Sequence, residues 1–418
     1  MRTIFGSVVA ALIAAALIAG GSAAAQGPRG LVINEDNSHF FGTRQADDMT
    51  LEGLHAFVDQ YAGTEASHLF LCPNAMRASF RSTTRDAIWD PRGQDAPEPG
   101  FGGPWAANAR LLHERGLDPY AVWIARCREK GLSPWLSMRM NDVHDVDNLK
   151  NFMHSTFWVE HPEYWRVPGG AGWTDRALDY AVPEVREHNM AFIRELLERY
   201  DPDGLELDWM RFGYHFAPGK EAEGSTLLTQ FMRDVRALTR EWSEKRGHAI
   251  QLGARVPAHP DAASGLGMDG VAWAKEGLID MLVPTPFWLS SDFDIPVELW
   301  RERMGDAAGR VIIAPGLEFI LVGGHARGQA ILLVNTKRGP IVLASDAVHV
   351  YDETDFERPF AIFYDLPGML EGYRRINRLA GSRDHVIPGH DARVTKAYPA
   401  YAKGTEGRIL RLDEPPKW

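Results

Sequence analysis

Asp203-Gly-Leu-Glu-Leu-Asp-Trp-Met-Arg-Phe212 reads as a short strand running into a turn. Side chains alternate along a strand, so Glu206 and Asp208 share one face while Leu205 and Leu207 share the other. In a (β/α) barrel the leucines would face the outer helices and the acids the interior near the mouth. Acids buried there are costly unless they are paired or perform chemistry.

Similar apolar runs flank this stretch: Leu31–Ile33, His68–Cys72, Ser133–Met138, Ile250–Val256, Ile279–Val283 and Arg310–Ala314. Each leads into a polar loop and usually a helical pattern, the alternation of a parallel sheet with crossover helices. Met190, Ile193, Leu197 and Tyr200 fall on one helical face, as do Leu228, Phe231, Val235, Leu238 and Trp242. The pattern predicts an α/β fold, a (β/α)8-type barrel over residues 26–318 that lacks a clear eighth unit. Two long excursions, 73–118 and 141–183, should lie at the C-terminal face where barrel enzymes build their sites.

After Glu318 the pattern changes. Phe319–Val322, Ala330–Asn335 and Pro340–Ala344 are separated by a Gly-Gly-His turn and a basic turn, and a helix near 368–379 precedes His385–Asp391. Runs joined by a short turn predict an antiparallel hairpin, so a second unit is expected over 319–418.

The Asp203–Phe212 stretch resembles the fourth-strand motif of glycosyl-hydrolase-like family 10 proteins and related barrel glycosidases. Pro315-Gly-Leu-Glu318 stands in the seventh-strand position, and the resemblance covers residues 31–318. It implies a TIM-type barrel acting on a polysaccharide or oligosaccharide, without a cofactor, with a strand-four acid in catalysis. Glycosidic cleavage uses two carboxyl groups, one protonating the leaving oxygen and one attacking or activating water. Asp208 is the first candidate and Glu206 the second, with Asp142 and Glu318 further candidates for the partner acid. Salt-bridging of these acids by Arg139, Arg211 or Arg255 is the structural alternative. Arg77, Arg139, Arg211 and Arg255 near strand ends would suit an acidic sugar. Trp158, Trp209 and Trp288 are candidate sugar platforms, though a tryptophan buries large area whatever its role.

Residues 319–418 resemble the C-terminal half of metallo-β-lactamase-fold hydrolases of the N-acyl homoserine lactonase type, half of an αββα sandwich. The matching stretches are Leu321–Gln329, Val342–His349, Met369–Tyr373 and His385–Asp391. Carried over, the resemblance implies zinc ligands at His325, Asp346 and His390, and places His349 where such lactonases have a substrate-contacting Tyr. The family's His-x-His-x-Asp-His cluster is absent from this sequence, leaving the dinuclear site short of ligands. Pro315–Glu318 reads as a seam between two unrelated patterns. A zinc-dependent hydrolase and a non-catalytic or chimeric glycan-binding protein are the rival readings.

Residues 1–25 combine Arg2, an apolar run from Val8 to Ile18 and Ala23-Ala24-Ala25, the layout of a cleavable signal peptide. A secreted or periplasmic product with no membrane span after cleavage is expected. The formal net charge of -11 argues against nucleic-acid partners, which require basic surfaces. Two cysteines, Cys72 and Cys127, exclude a disulfide scaffold.

Overall fold

The computed structural model describes residues 30–91, 102–286, 295–314 and 318–418, apart from 327–328, 337, 402, 405 and 408–409. The expected signal peptide and Trp288 lie outside the described residues, as does most of the seam at 315–317.

Seven strands follow in chain order: β1 Leu31–Glu35, β2 Ala66–Leu71, β3 Ser133–Arg139, β4 Gly204–Asp208, β5 Gln251–Pro257, β6 Met281–Thr285 and β7 Ile312–Ile313. Every neighbouring pair is parallel and the spatial order repeats the sequence order. Crossover helices at Leu51–Asp59, Pro119–Glu129, Pro183–Arg199, Glu221–Arg246, Gly270–Lys275 and Val297–Met304 return the chain between successive strands. Their ends carry the expected local chemistry. The Thr50 side chain caps the Gly53 amide, Asp118 caps a helix that opens on Pro119, and Gly247 closes the longest helix at φ +78°. The result is a curled, half-barrel sheet, and among the described residues no pairing joins β7 to β1.

Leu205, Leu207, Leu252 and Leu282 point outward into the main core, where they meet the helix stripes containing Ile193, Leu197, Leu228 and Phe231. On the inner face Trp135 stacks on Phe70 at 4.8 Å and packs with Met281 and Val283. Its indole lies over Gly204, its register partner on β4, and near Gly253 on β5. No side chain fits at Gly204 without displacing that ring.

The second sheet runs β11-β10-β9-β8, from β8 Glu318–Leu321, β9 Ala330–Thr336, β10 Gly339–Ser345 and β11 Val386–Pro388. β8, β9 and β10 are antiparallel neighbours, as their short connections require, while β11 joins β10 in parallel. Helix Leu366–Ala380 covers one face through Met369, Tyr373 and Ile376. Tyr351, Val394 and Tyr398 cover the other. Glu318 therefore corrects an expectation: it opens β8, opposite Leu333, and does not cap the seventh barrel strand. No helix among the described residues is long and apolar enough to cross a membrane.

Replacing Gly204 with Ala should lower stability by about 1–3 kcal/mol, the usual cost of overpacking. The denaturant midpoint of Gly204→Ala checks this, and Trp135→Leu in the same chain should recover part of the loss.

Candidate functional site

Parallel register stacks the inner-face residues of β3, β4 and β5 in rows. Arg139, Asp208 and Arg255 form the upper row, and Ser137, Glu206 and Gly253 the one beneath. Glu206 is fully buried. The Ser137 hydroxyl donates to it, and Arg255 donates Nε to Oε1 at 3.1 Å and Nη2 to Oε2 at 3.2 Å. Burial pushes the Glu206 carboxyl upward and the Asp208 charge adds to that, against the pull of Arg255.

Asp208 is differently placed. Its Oδ1 accepts the Met210 and Arg211 amides at 3.0 and 2.9 Å, with Arg255 Nε 3.8 Å away. Among the described residues its Oδ2 has no hydrogen-bond partner, and the side chain retains a small opening to solvent.

Above these rows lies a cleft of about 480 Å³, lined among others by Asp36, Asn37, Arg139, His144, Asp145 and Arg211. Trp105, Phe152 and Met153 give it an apolar wall. Arg139 bridges two acids, donating one terminal nitrogen to Asp142 at 3.2 Å and the other to Asp36. Asp142 also accepts the His144 amide at 3.0 Å and the His144 Nδ1–H at 2.8 Å. Burial would raise the Asp142 carboxyl, but His144 and Arg139 outweigh it and hold it far below the usual range. The same opposition, with Arg139 and Ser38 against burial, leaves Asp36 lowered. Arg211 Nη2 lies 3.1 Å from His144 Nε2, which makes Nε2 the acceptor and Nδ1 the protonated nitrogen.

Of the predicted site residues Arg139 and Arg211 line this cleft, while Asp208 neighbours Arg139 in register, Asp142 accepts from it, and Arg255 pairs with Glu206 in the row beneath. Arg77 is elsewhere: almost fully buried, it donates to the Phe152 and Asp90 carbonyls and ties the two long excursions together. Trp158 and Trp209 are fully buried, which corrects the expectation that they offer faces to a sugar. Trp158 stacks on Trp165, and Trp209 packs against Tyr180 and Phe231.

The sequence reading missed Asp36, Asn37, His144 and Asp145. Asp36 and Asn37 directly follow β1, where barrel strands deliver side chains to the mouth, and that position was the available signal. Both polar atoms of the Asn37 side chain are buried without a partner. Asp145 holds a left-handed backbone at φ +50° and accepts from Asn151 Nδ2 at 3.1 Å.

In the second unit the loops after β10 and β11 bring Asp346, His349 and His390 together, with one donor atom of each within 4.8 Å of the others. His390 Nε2 lies 2.6 Å from Asp346 Oδ1. His325 lies outside that cluster, with its Nδ1 donating to the Ile362 carbonyl at 3.0 Å, and His349 is the third member.

No family model matches the chain. The glycosyl hydrolase DigH of Escherichia coli strain K12 is 19% identical over 280 residues, covering 56% of this chain and 61% of that protein. DigH of Escherichia coli O6:H1 aligns to the same extent, so the chain spans about 61% of the length of these curated relatives. Among solved structures, the galactosidase domain of the α-galactosidase–sucrose kinase AgaSK superposes with a TM-score of 0.37 at 15% identity, over 68% of this chain and 32% of that one. An N-acyl homoserine lactone hydrolase with bound N-hexanoyl-L-homoserine superposes at 0.18 and 15% identity, over 39% of this chain and 64% of that one. The chain is thus distantly similar in sequence to a glycosyl hydrolase, and its structural neighbours include glycosidases and a lactonase.

Proposed function

We propose that the chain is an exported hydrolase that cleaves a polysaccharide or oligosaccharide in the cleft above β3, β4 and β5, with Asp208 as the working carboxylate. The observation that carries this reading is the free Oδ2 of Asp208. A carboxylate that attacks an anomeric carbon or activates water needs an uncommitted oxygen. Glu206, Asp142 and Asp36 each have both oxygens occupied. The two Arg211-side amides on Oδ1 hold the Asp208 carboxyl in one orientation. Asp145, on the cleft wall with one oxygen on Asn151, is the acid placed to protonate the leaving oxygen. Phe152 and Met153 supply the apolar wall for a sugar ring. The likeness to a protein named as a glycosyl hydrolase supports the reaction class, and the first 25 residues support export to the periplasm or medium.

A second reading, metal-dependent hydrolysis in the C-terminal unit, is favoured by the convergence of Asp346, His349 and His390. A zinc ion bound there would act as a Lewis acid and lower the pKa of a bound water. Three protein donors around one ion fit that role, and the chain's own residues supply one carboxylate and two imidazoles.

Release of reducing ends from mixed polysaccharides tests the principal reading. Asp208→Asn should lower the rate by ~10²- to 10⁴-fold with the fold intact by circular dichroism; an unchanged rate would move the site away from Asp208. Asp142 should instead behave as a structural acid. Because its folded pKa is depressed, its contribution is complete above the unfolded value of 3.8 and is lost as pH falls further. Asp142→Asn should therefore cost roughly 3 kcal/mol at pH 7, with the gap to the unmodified chain closing only below about pH 3.8 in denaturation curves.

A further inference from the structure

The loops that carry Asp346 and His390 are fixed by backbone contacts. Gly389 N donates to the Val348 carbonyl at 2.9 Å and His390 N to the His349 carbonyl at 3.0 Å. Ser345 turns the chain at φ +47°, a left-handed conformation that a non-glycine residue adopts at a cost. Gly389 packs on that turn so closely that a Cβ there would lie 2.7 Å from the Ser345 carbonyl oxygen. The pairing of Asp346 with His390 is thus built into the backbone before any ligand arrives.

His349 completes the arrangement. Its ring stacks on Phe360 at 3.6 Å and lies 5.4 Å from that of His390, both nearly parallel to it. His349 is about nine-tenths buried, and its Nδ1 is sealed from solvent without a hydrogen bond. That nitrogen faces Glu353 Oε1 at 3.4 Å. Glu353 is itself buried and held by the His349 and Val350 amides and the Tyr373 hydroxyl. A buried carboxylate beside one imidazole nitrogen, on a histidine that clusters with a second carboxylate and histidine, is the arrangement of a metal-ligating histidine and its orienting partner.

We infer that the C-terminal unit holds a single divalent metal ion on Asp346, His349 and His390, with His349 as an essential ligand oriented by Glu353 and His325 outside the coordination sphere. His325 is not among the residues whose donor atoms lie within 4.8 Å of one another, although its Nδ1–H is held by the Ile362 carbonyl and its ring centroid is 5.1 Å from that of His349. This rests on the second reading above.

Zinc titration of the metal-free full chain by calorimetry, with cobalt absorption as the spectroscopic readout, tests it without any catalytic assay. The unmodified chain should bind one zinc ion and give an intense low-symmetry cobalt band. His349→Ala should weaken binding by more than the roughly 10- to 100-fold that losing an orienting partner costs, while His325→Ala leaves it within about twofold. His349→Gln serves as the second variant, and metal-free melting curves of all three confirm folding. No zinc, two zinc ions, or a loss that follows His325 and spares His349 would overturn the inference. Glycan release governed by Asp208 is measured separately, so either reading fails without the other.

Discussion

Glu206 is a carboxylate with no exposure on the inner face of a parallel sheet, and the surrounding site is organised by the need to neutralise it. Removing a buried charge from water costs several kcal/mol unless a partner with good geometry is present. Arg255 provides that partner by folding back from the row above, where its register neighbour is Asp208. The guanidinium is consequently spent on the deeper acid and stays 3.8 Å from the shallower one. Among the described residues Asp208 Oδ2 has no hydrogen-bond partner, since the Met210 and Arg211 amides and Arg255 all lie on the Oδ1 side.

Arg139 does the corresponding work on the other side of Asp208. Its two terminal nitrogens join Asp36, after β1, to Asp142, after β3, so the walls of the cleft are tied by one buried guanidinium. His144 then extends the chain of contacts from Asp142 to Arg211, whose amide returns to Asp208. The floor beneath depends on Trp135, because Gly204 and Gly253 let its ring lie flat where any side chain would intrude. Apolar packing below and ion pairing above therefore fix the same three strands.

The strands of both sheets were legible because each is a short apolar run bounded by turns, and a parallel half-barrel in chain order follows from their spacing. The two-residue period also placed Glu206 and Asp208 on one face. What the sequence could not show was allocation: which arginine pairs with which acid depends on inter-strand register, which no local pattern encodes. Trp158 and Trp209 looked like sugar platforms for the same reason, since only tertiary packing separates a buried indole from one facing the cleft. Asp36 escaped notice because a single acid after an apolar strand has no periodicity to mark it. In the second unit the resemblance pointed to His325, whereas loop geometry selects His349, a residue whose position in the motif suggested a different role.

The C-terminal unit shows how few elements are needed to bring three polar side chains together. β10 and β11 are parallel neighbours, so their C-terminal loops must emerge side by side. Asp346 and His349 come from one loop and His390 from the next, and the backbone bonds between 348–349 and 389–390 need no other element of a sandwich. Helix Leu366–Ala380 and the Tyr351–Val394–Tyr398 cluster bury the two faces of the sheet that carries these loops. A four-stranded sheet covered on both faces can hold two adjacent loops in register, and two adjacent loops are sufficient to cluster Asp346, His349 and His390.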